Sequence, residues 1–334
     1  MNKDAILKHL LLEKKRFISG AELAGKFNIS RTAVWKHIKA LEREGFGIEG
    51  VPSRGYRLVT VPDVLSKSAI TQGRSAQMMG REIHLFRELA STNTVAMELA
   101  RDNAPEGAVV LAEAQTGGKG RLGRTWISPA GNLYVSVVLR PNISPYRAPL
   151  VTLAGAIAVA WAIRKQLGIQ ANIKWPNDIM IANKKVAGIL TEMSADPDRV
   201  KYLVLGIGIN VNVEREALTP EIRLLATSLI SETGSKIDRV AFLNALLTEL
   251  EQWYTLLLED DAAVLREWKS LNMTTGRRVA VRSQDGVIEG LARGIDREGR
   301  LIIELDGGAV HNVASGDVTI VKEEGPVPRG KGQE

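Results

Sequence analysis

Residues 115–126, QTGGKGRLGRTW, restrict what this chain can become more than any other stretch. Four glycines and three cations, Lys119, Arg121 and Arg124, fall within ten residues. Glycine frees the backbone to reach positive φ and to approach a ligand closely. Clustered positive charges repel one another until an anion arrives, and arginine offers a permanently charged planar fork that matches phosphate oxygens. The segment reads as a mobile phosphate clamp between two strands, EGAVVLAEAQ (106–115) and NLYVSVVLR (132–140). It is not a Walker loop, because no GxxxxGK[ST] is present, and it opens onto no obvious helix as a dinucleotide fingerprint does.

With 334 residues the chain can bury a large core and divide into two or three domains. It has no cysteine, which excludes disulfides and thiolate metal sites, and its four histidines are scattered at 9, 37, 84 and 311. The apolar run 148–163 is rich in alanine, short of a membrane span and followed at once by Arg164 and Lys165, so a buried core helix is expected. The N-terminal residues lack the apolar run and cleavage site of a signal peptide. These features lead us to expect a cytoplasmic protein with no membrane partner.

Charge is unevenly placed. Residues 1–60 carry twelve Lys/Arg and six Asp/Glu, which accounts for the whole net charge of +6. A polyanion-binding function therefore belongs at the N-terminus. There, 3–13 has helical apolar spacing, and Ser19 with Glu22 forms a capping box for AELAGKF (21–27). Ser30 caps RTAVWKHIKALEREG (31–45), and FGIEGVPSRGYRLV (46–59) reads as a hairpin wing with Arg54 at its tip. This is a winged helix-turn-helix over 1–62, with Ser30, Arg31, Thr32, Trp35, Lys36, Lys39 and Arg54 as the candidate DNA-contacting residues. A solvated basic face on a protein-binding winged helix is the alternative.

A second domain, 66–270, mixes helices (92–103, 148–167, 239–260) with strands (106–115, 132–140, 172–181, 184–194, 201–212), and the expected class is α+β with a largely antiparallel sheet. Short strands at 276–283, 286–296, 300–307 and 308–321, split by DG, REG and DGG turns, predict a small β-barrel over 274–322. The tail 323–334 has no apolar anchor and is expected to be disordered.

Four further segments belong with the cationic loop. STN (91–93) opens a helix whose N-terminal N–H groups can hold a polar ligand. In KWPNDI (174–179), Pro176 interrupts a strand and holds Asn177 and Asp178 at its end, where Asp178 can serve Mg²⁺ beside a phosphate. KKVAGIL (184–190) brings Lys185 into a strand followed by small residues, and GIGIN (206–210) places glycines within a strand. Each alone also reads as a cap, a turn or a strand end. In this order they resemble the biotin–protein ligase family. The winged helix and terminal barrel resemble its bifunctional members, which also repress the biotin operon; the resemblance spans residues 3 to about 321.

The resemblance implies that the barrel is SH3-like and that the reaction has two steps. Biotin is first activated with ATP to biotinyl-5′-AMP; the biotinyl group then passes to a lysine of a biotin carboxyl carrier protein. The family's biotin-contacting positions match Ser91, Thr92, Asn93, Gln115, Lys119, Gly120, Arg121 and Lys185. Nucleotide contacts are expected at Gly118, Lys119, Arg121, Arg124, Trp126, Lys174, Asn177 and Asn210. Lys185, Arg121, Arg124 and Asp178 are the catalytic candidates, with ATP and Mg²⁺ required and no tightly bound prosthetic group. Operator DNA and a homodimer formed with bound biotinyl-5′-AMP are further implied partners. Members typically carry GRGR where this chain has GGKGR, so Lys119 replaces an arginine and loses its bidentate fork. The other function classes open are an effector-sensing regulator without acyl transfer and a lipoate-type acyl ligase.

Overall fold

The computed structural model describes residues 2–13, 16–60, 63–72, 78–214, 219–283 and 286–321. The expected disordered tail lies outside them. The chain forms two compact units, Met1–Ser75 with Asp238–Ala241, and Ala76–Ile237 with Phe242–Glu334.

The first unit begins with α1 (Asn2–Leu12), α2 (Gly20–Phe27) and α3 (Arg31–Arg43). Both expected caps form: Ser19 Oγ accepts from Glu22 N at 3.0 Å and Ser30 Oγ from Ala33 N at 3.1 Å. Each satisfies an N–H that a helix start leaves without a partner. Ile6, Leu7 and Leu10 of α1 meet Leu23 of α2 and the Val34, Ile38 and Leu41 stripe of α3 in one buried core. The hairpin β1 (Gly47–Val51) and β2 (Gly55–Thr60) follows. Ile18 bridges to Tyr56, with N–H···O bonds of 2.9 and 2.8 Å, and so fastens the wing to the α1–α2 connection. Gly55 (φ +104°) is required there, since a Cβ would strike the Ile18 carbonyl. A short α4 (Lys67–Gln72) completes the unit, and buried Arg239 donates to Asp63 Oδ1 at 2.5 Å.

The second unit is built on a seven-stranded sheet. Its members are β3 (Ile83–Leu89), β4 (Val109–Gln115), β5 (Leu133–Leu139), β6 (Asn172–Lys174), β7 (Asp178–Ile181), β8 (Lys184–Ala195) and β9 (Val200–Ile209). The order is β3-β4-β5-β9-β8-β7-β6, and β3–β4 is the parallel pair in an otherwise antiparallel ladder. Helix α5 (Thr92–Arg101) packs against β4, β5 and β9, its alanines meeting Val110, Val138 and Val204. Helix α6 (Ala148–Leu167) packs against β6 to β9. β5 is buried at every position, as a strand covered on both faces must be. The same burial explains α6, the one described helix long and apolar enough to cross a membrane and yet 72% buried over its most apolar window.

Beyond the sheet lie α7 (Pro220–Leu225), α8 (Leu229–Thr233), α9 (Arg239–Glu259) and α10 (Asp261–Leu271). The C-terminal strands β10 (Arg278–Ser283), β11 (Gly286–Ile295), β12 (Leu301–Glu304), β13 (Val310–Val313) and β14 (Asp317–Ile320) form an antiparallel sheet ordered β13-β12-β11-β10-β14. Two runs read as single strands are divided. Residues 172–181 turn at Trp175–Asn177 so that β6 folds back on β7. Residues 308–321 break before Asp317, sending β13 and β14 to opposite edges. Strand β3 and helix α10 have no counterpart in the sequence reading, because β3 is half-exposed and α10 follows α9 after a single residue.

Candidate active site

A cavity of about 370 Å³ lies where the start of α5, the 115–126 loop, the β6–β7 turn and the edge strand β14 converge in the second unit. Its floor is made by glycine. Gly188 pairs with Gly208, and Gly206 pairs with Leu190, so these positions share one face of the sheet. A Cβ on Gly208 would lie 2.6 Å from Trp126 Nε1, and one on Gly188 3.3 Å from Trp126 Cζ3. The indole therefore lies across this pair, with no hydrogen-bond partner for its buried N–H. At Gly206 a Cβ would strike the Asn93 amide.

One end of the cavity is neutral and polar. Ser91 is 3% exposed, lines the cavity and, as the α5 N-cap, makes no side-chain capping bond. Gln115 Oε1 accepts from Thr92 N at 2.8 Å and Thr92 Oγ1 at 3.1 Å, and Gln115 Nε2 donates to Ser128 Oγ at 2.9 Å. Asn93 is committed to the protein: Nδ2 donates to Glu192 at 2.7 Å and to the Leu190 carbonyl at 3.2 Å, and Oδ1 accepts from Ser136 at 2.7 Å.

The other end is cationic. Lys119, Arg121, Arg124, Lys174 and Lys185 face two carboxylates, Asp178 and Asp317, an excess of three positive charges. Lys185 Nζ sits 2.5 Å from Asp178 Oδ1 and 5.2 Å from the Trp126 ring centroid. Arg124 pairs with Asp317, and Arg121 donates to Asn177 Oδ1 at 3.3 Å. Burial pushes the Arg121 guanidinium below its usual range, against the pull of Asp317 and Asp178. The Lys174 ammonium is lowered in the same way by burial, with Asp178 opposing and Lys185 adding to the effect. Arg121 and Lys174, desolvated beside other cations, favour an incoming polyanion, which compensates the burial and offsets the repulsion.

Of the residues singled out by sequence, Ser91, Thr92, Asn93, Gln115, Lys119, Gly120, Arg121, Arg124, Trp126, Lys174, Asn177, Asp178 and Lys185 line this one cavity. Gly118 and Asn210 do not. Gly118 fits against the Trp126 carbonyl and Ser128, while buried Asn210 donates to the Thr227 carbonyl at 3.0 Å. Among the described residues no group of three or more His, Asp or Glu forms a metal site, so Asp178 stands as a single carboxylate beside Lys185. Sequence reasoning missed Asp317 and Leu225, which also line the cavity. Neither sits in a pattern that marks it; only the fold carries β14 and α7 to the site.

In the first unit, Arg31, Thr32, Trp35, Lys36 and Lys39 are exposed on α3, and Trp35 keeps 51% of its surface. Lys39 pairs with Glu42 at 2.6 Å, Ser30 is occupied as the cap, and the Arg54 guanidinium stands 4.2 Å from the Phe17 ring centroid.

The chain thus combines an α+β core that carries a cationic cavity with a winged helix-turn-helix. Residues 85–210 match the biotin/lipoate A/B protein ligase family, 2–57 an HTH domain, and 274–321 the biotin protein ligase C-terminal domain. The bifunctional ligase/repressor BirA of Bacillus subtilis is 41% identical over 306 residues, covering 91% of this chain and 94% of its own. The BirA of Escherichia coli is 31% identical over 89% of this chain and 91% of its own. Among solved structures, the biotin protein ligase from Aquifex aeolicus in complex with biotin and ATP superposes with a TM-score of 0.62 at 30% identity, over 72% of this chain and 99% of that one. The chain belongs to the bifunctional biotin–protein ligase and biotin-operon repressor family.

Proposed function

We propose that this protein activates biotin with ATP and transfers the biotinyl group to a lysine of a biotin carboxyl carrier protein, and that biotin-dependent repression runs through its winged helix. The observation that carries this reading is the division of one cavity into a neutral hydroxyl and amide end and an end with three excess positive charges. The first end suits the ureido head of biotin, with Ser91, Thr92 and Gln115 as the hydrogen-bonding groups. Asn93 holds these in place and has no amide hydrogen left for the ligand.

The second end suits the nucleotide phosphates. In the first step a biotin carboxylate oxygen attacks the α-phosphorus of ATP, and pyrophosphate leaves. The substrate itself is the nucleophile, so the protein's work is positioning and charge stabilisation. Lys185 bridges the carboxylate and the α-phosphate, lowering the repulsion between two anions that must meet. Arg121, Arg124 and Lys119 hold phosphate oxygens, Lys174 and Asn177 the nucleotide, and Trp126 offers a face for adenine. Asp178 would supply one carboxylate to Mg²⁺ bound with the triphosphate, and the ion would offset charge on the phosphates. In the second step the target lysine amine attacks the mixed anhydride carbonyl, and AMP leaves.

For the regulatory part, Arg31, Thr32, Trp35 and Lys36 meet operator DNA, with Arg54 on the wing, and the adenylate-bound form pairs as a homodimer able to span a two-fold site. The setting is cytoplasmic. Incubation with biotin, Mg·ATP and a carrier domain tests the enzyme. One added biotinyl group on the carrier is expected, and pyrophosphate release without carrier modification would instead mark an enzyme that stops at activation. A regulator that only senses its effector would release no pyrophosphate.

A further inference from the structure

Strand alternation gives Glu192 an unusual position. Its neighbour Thr191 faces α6, where its hydroxyl meets that of Thr152 at 2.7 Å. Glu192 therefore points to the opposite face, the one covered by α5, opposite buried Val204. A carboxylate there is costly to bury without a partner. Its partner is Asn93, whose Nδ2 donates to Glu192 Oε2 at 2.7 Å.

We infer that Glu192 is a positioning residue for biotin recognition, fixing the orientation of the Asn93 amide and through it the hydroxyls of Ser136 and Thr92. The inference rests on the reading of the neutral end of the cavity as the biotin subsite. Glu192 and the Leu190 carbonyl can only accept, so together they force the Asn93 NH₂ towards β8 and its oxygen towards β5. Ser136 must then turn its single proton to Asn93 Oδ1, an oxygen separation of 2.7 Å, and its oxygen lies 2.8 Å from Thr92 Oγ1. The Thr92 hydroxyl meets Gln115 Oε1, which the Thr92 N–H also holds, and Gln115 turns its amide to Ser128. In this chain of bonds the two acceptors on β8 thus fix the Asn93 amide and the Ser136 hydroxyl, which meets Thr92 at the ligand-facing end. Gly206 leaves the space that the Asn93 amide occupies. No part of the chain reaches the cationic end of the cavity, so its failure is expected to be felt by biotin and not by ATP.

The test compares Glu192→Met and Glu192→Gln in the full-length protein by pyrophosphate release and by direct biotin binding. Methionine keeps the volume and offers no strong acceptor; glutamine can still accept through its carbonyl. Glu192→Met is expected to raise the biotin KM and Kd about tenfold, the scale of one charge-assisted hydrogen bond, with the ATP KM unchanged. Glu192→Gln is expected to recover most of that loss. Ser136→Ala, one link further on, should show the same selective loss, and the double variant should lose no more than the worse single one. A biotin Kd for Glu192→Met within twofold of the parent overturns the inference, and so does an equal rise in both KM values. If Glu192→Met does not fold, Ser136→Ala decides, an unchanged biotin Kd there being equally fatal. A parent protein that neither binds biotin nor releases pyrophosphate would instead remove the biotin subsite itself.

Discussion

Replacing Lys185 by alanine tests the proposed chemistry most directly. Its ammonium is about one-third exposed and 2.5 Å from Asp178, in a cluster whose three excess positive charges fall to two when it is removed. Four cations remain to hold the nucleotide, so ground-state binding should fall modestly. What is lost is the charge that bridges carboxylate and α-phosphate as they react. Deleting one preorganised donor aimed at developing charge costs roughly 10²–10³ in rate, or about 2.7–4 kcal/mol. The partly exposed pair itself contributes no more than about 1 kcal/mol to stability, so Tm should fall by no more than roughly 2–4 °C. Single-turnover pyrophosphate release at saturating biotin and Mg·ATP measures the rate, and circular dichroism checks the fold. Lys185→Arg, which keeps the charge and alters its shape, should recover part of the rate. A folded Lys185→Ala protein reacting within about tenfold of the parent would refute the bridging role.

Gly208→Val places a branched side chain where Trp126 lies, since even a Cβ comes within 2.6 Å of the indole; the ATP KM should rise several-fold, and an unchanged KM would move adenine elsewhere. Burial lowers the Lys174 ammonium, so the folded chain gives up this proton before the unfolded chain does. The site therefore costs stability at neutral pH, a cost that vanishes as pH rises through the folded value towards the unfolded value of about 10.4. Lys174→Met should accordingly raise the Tm of the ligand-free protein at pH 7, show little gain near pH 10.5, and weaken nucleotide binding; a lower Tm at pH 7 contradicts this. Ser30→Ala removes the cap of α3 and should destabilise the winged helix by about 1 kcal/mol in denaturant titrations of the full chain. Arg31→Ala and Lys36→Ala should each reduce the salt dependence of DNA binding by about one phosphate contact, and unchanged slopes would place the DNA surface off α3.

Much of this protein was legible along the chain because its signals are local. The Ser19 and Ser30 caps, the Val34, Ile38 and Leu41 stripe, the largely apolar β5 and the glycine–cation loop each depend on neighbours within a few residues. Spacing along the backbone is enough to express a helix face, a covered strand or a charge cluster that needs a counter-ion. The sequence also determined which residue types were available to bind phosphate. Tertiary structure decided what those residues meet. Asp317 reaches Arg124 only because β14 closes the C-terminal sheet at its β10 edge, far along the chain from the loop it pairs with. Asn93 reads as a ligand contact in sequence, yet its amide is held by Glu192, ninety-nine residues away. Asn210 likewise turns inward to Thr227. A side chain's partners are fixed by which strands pair and which face each position takes, and pairing between distant segments leaves no mark in local spacing.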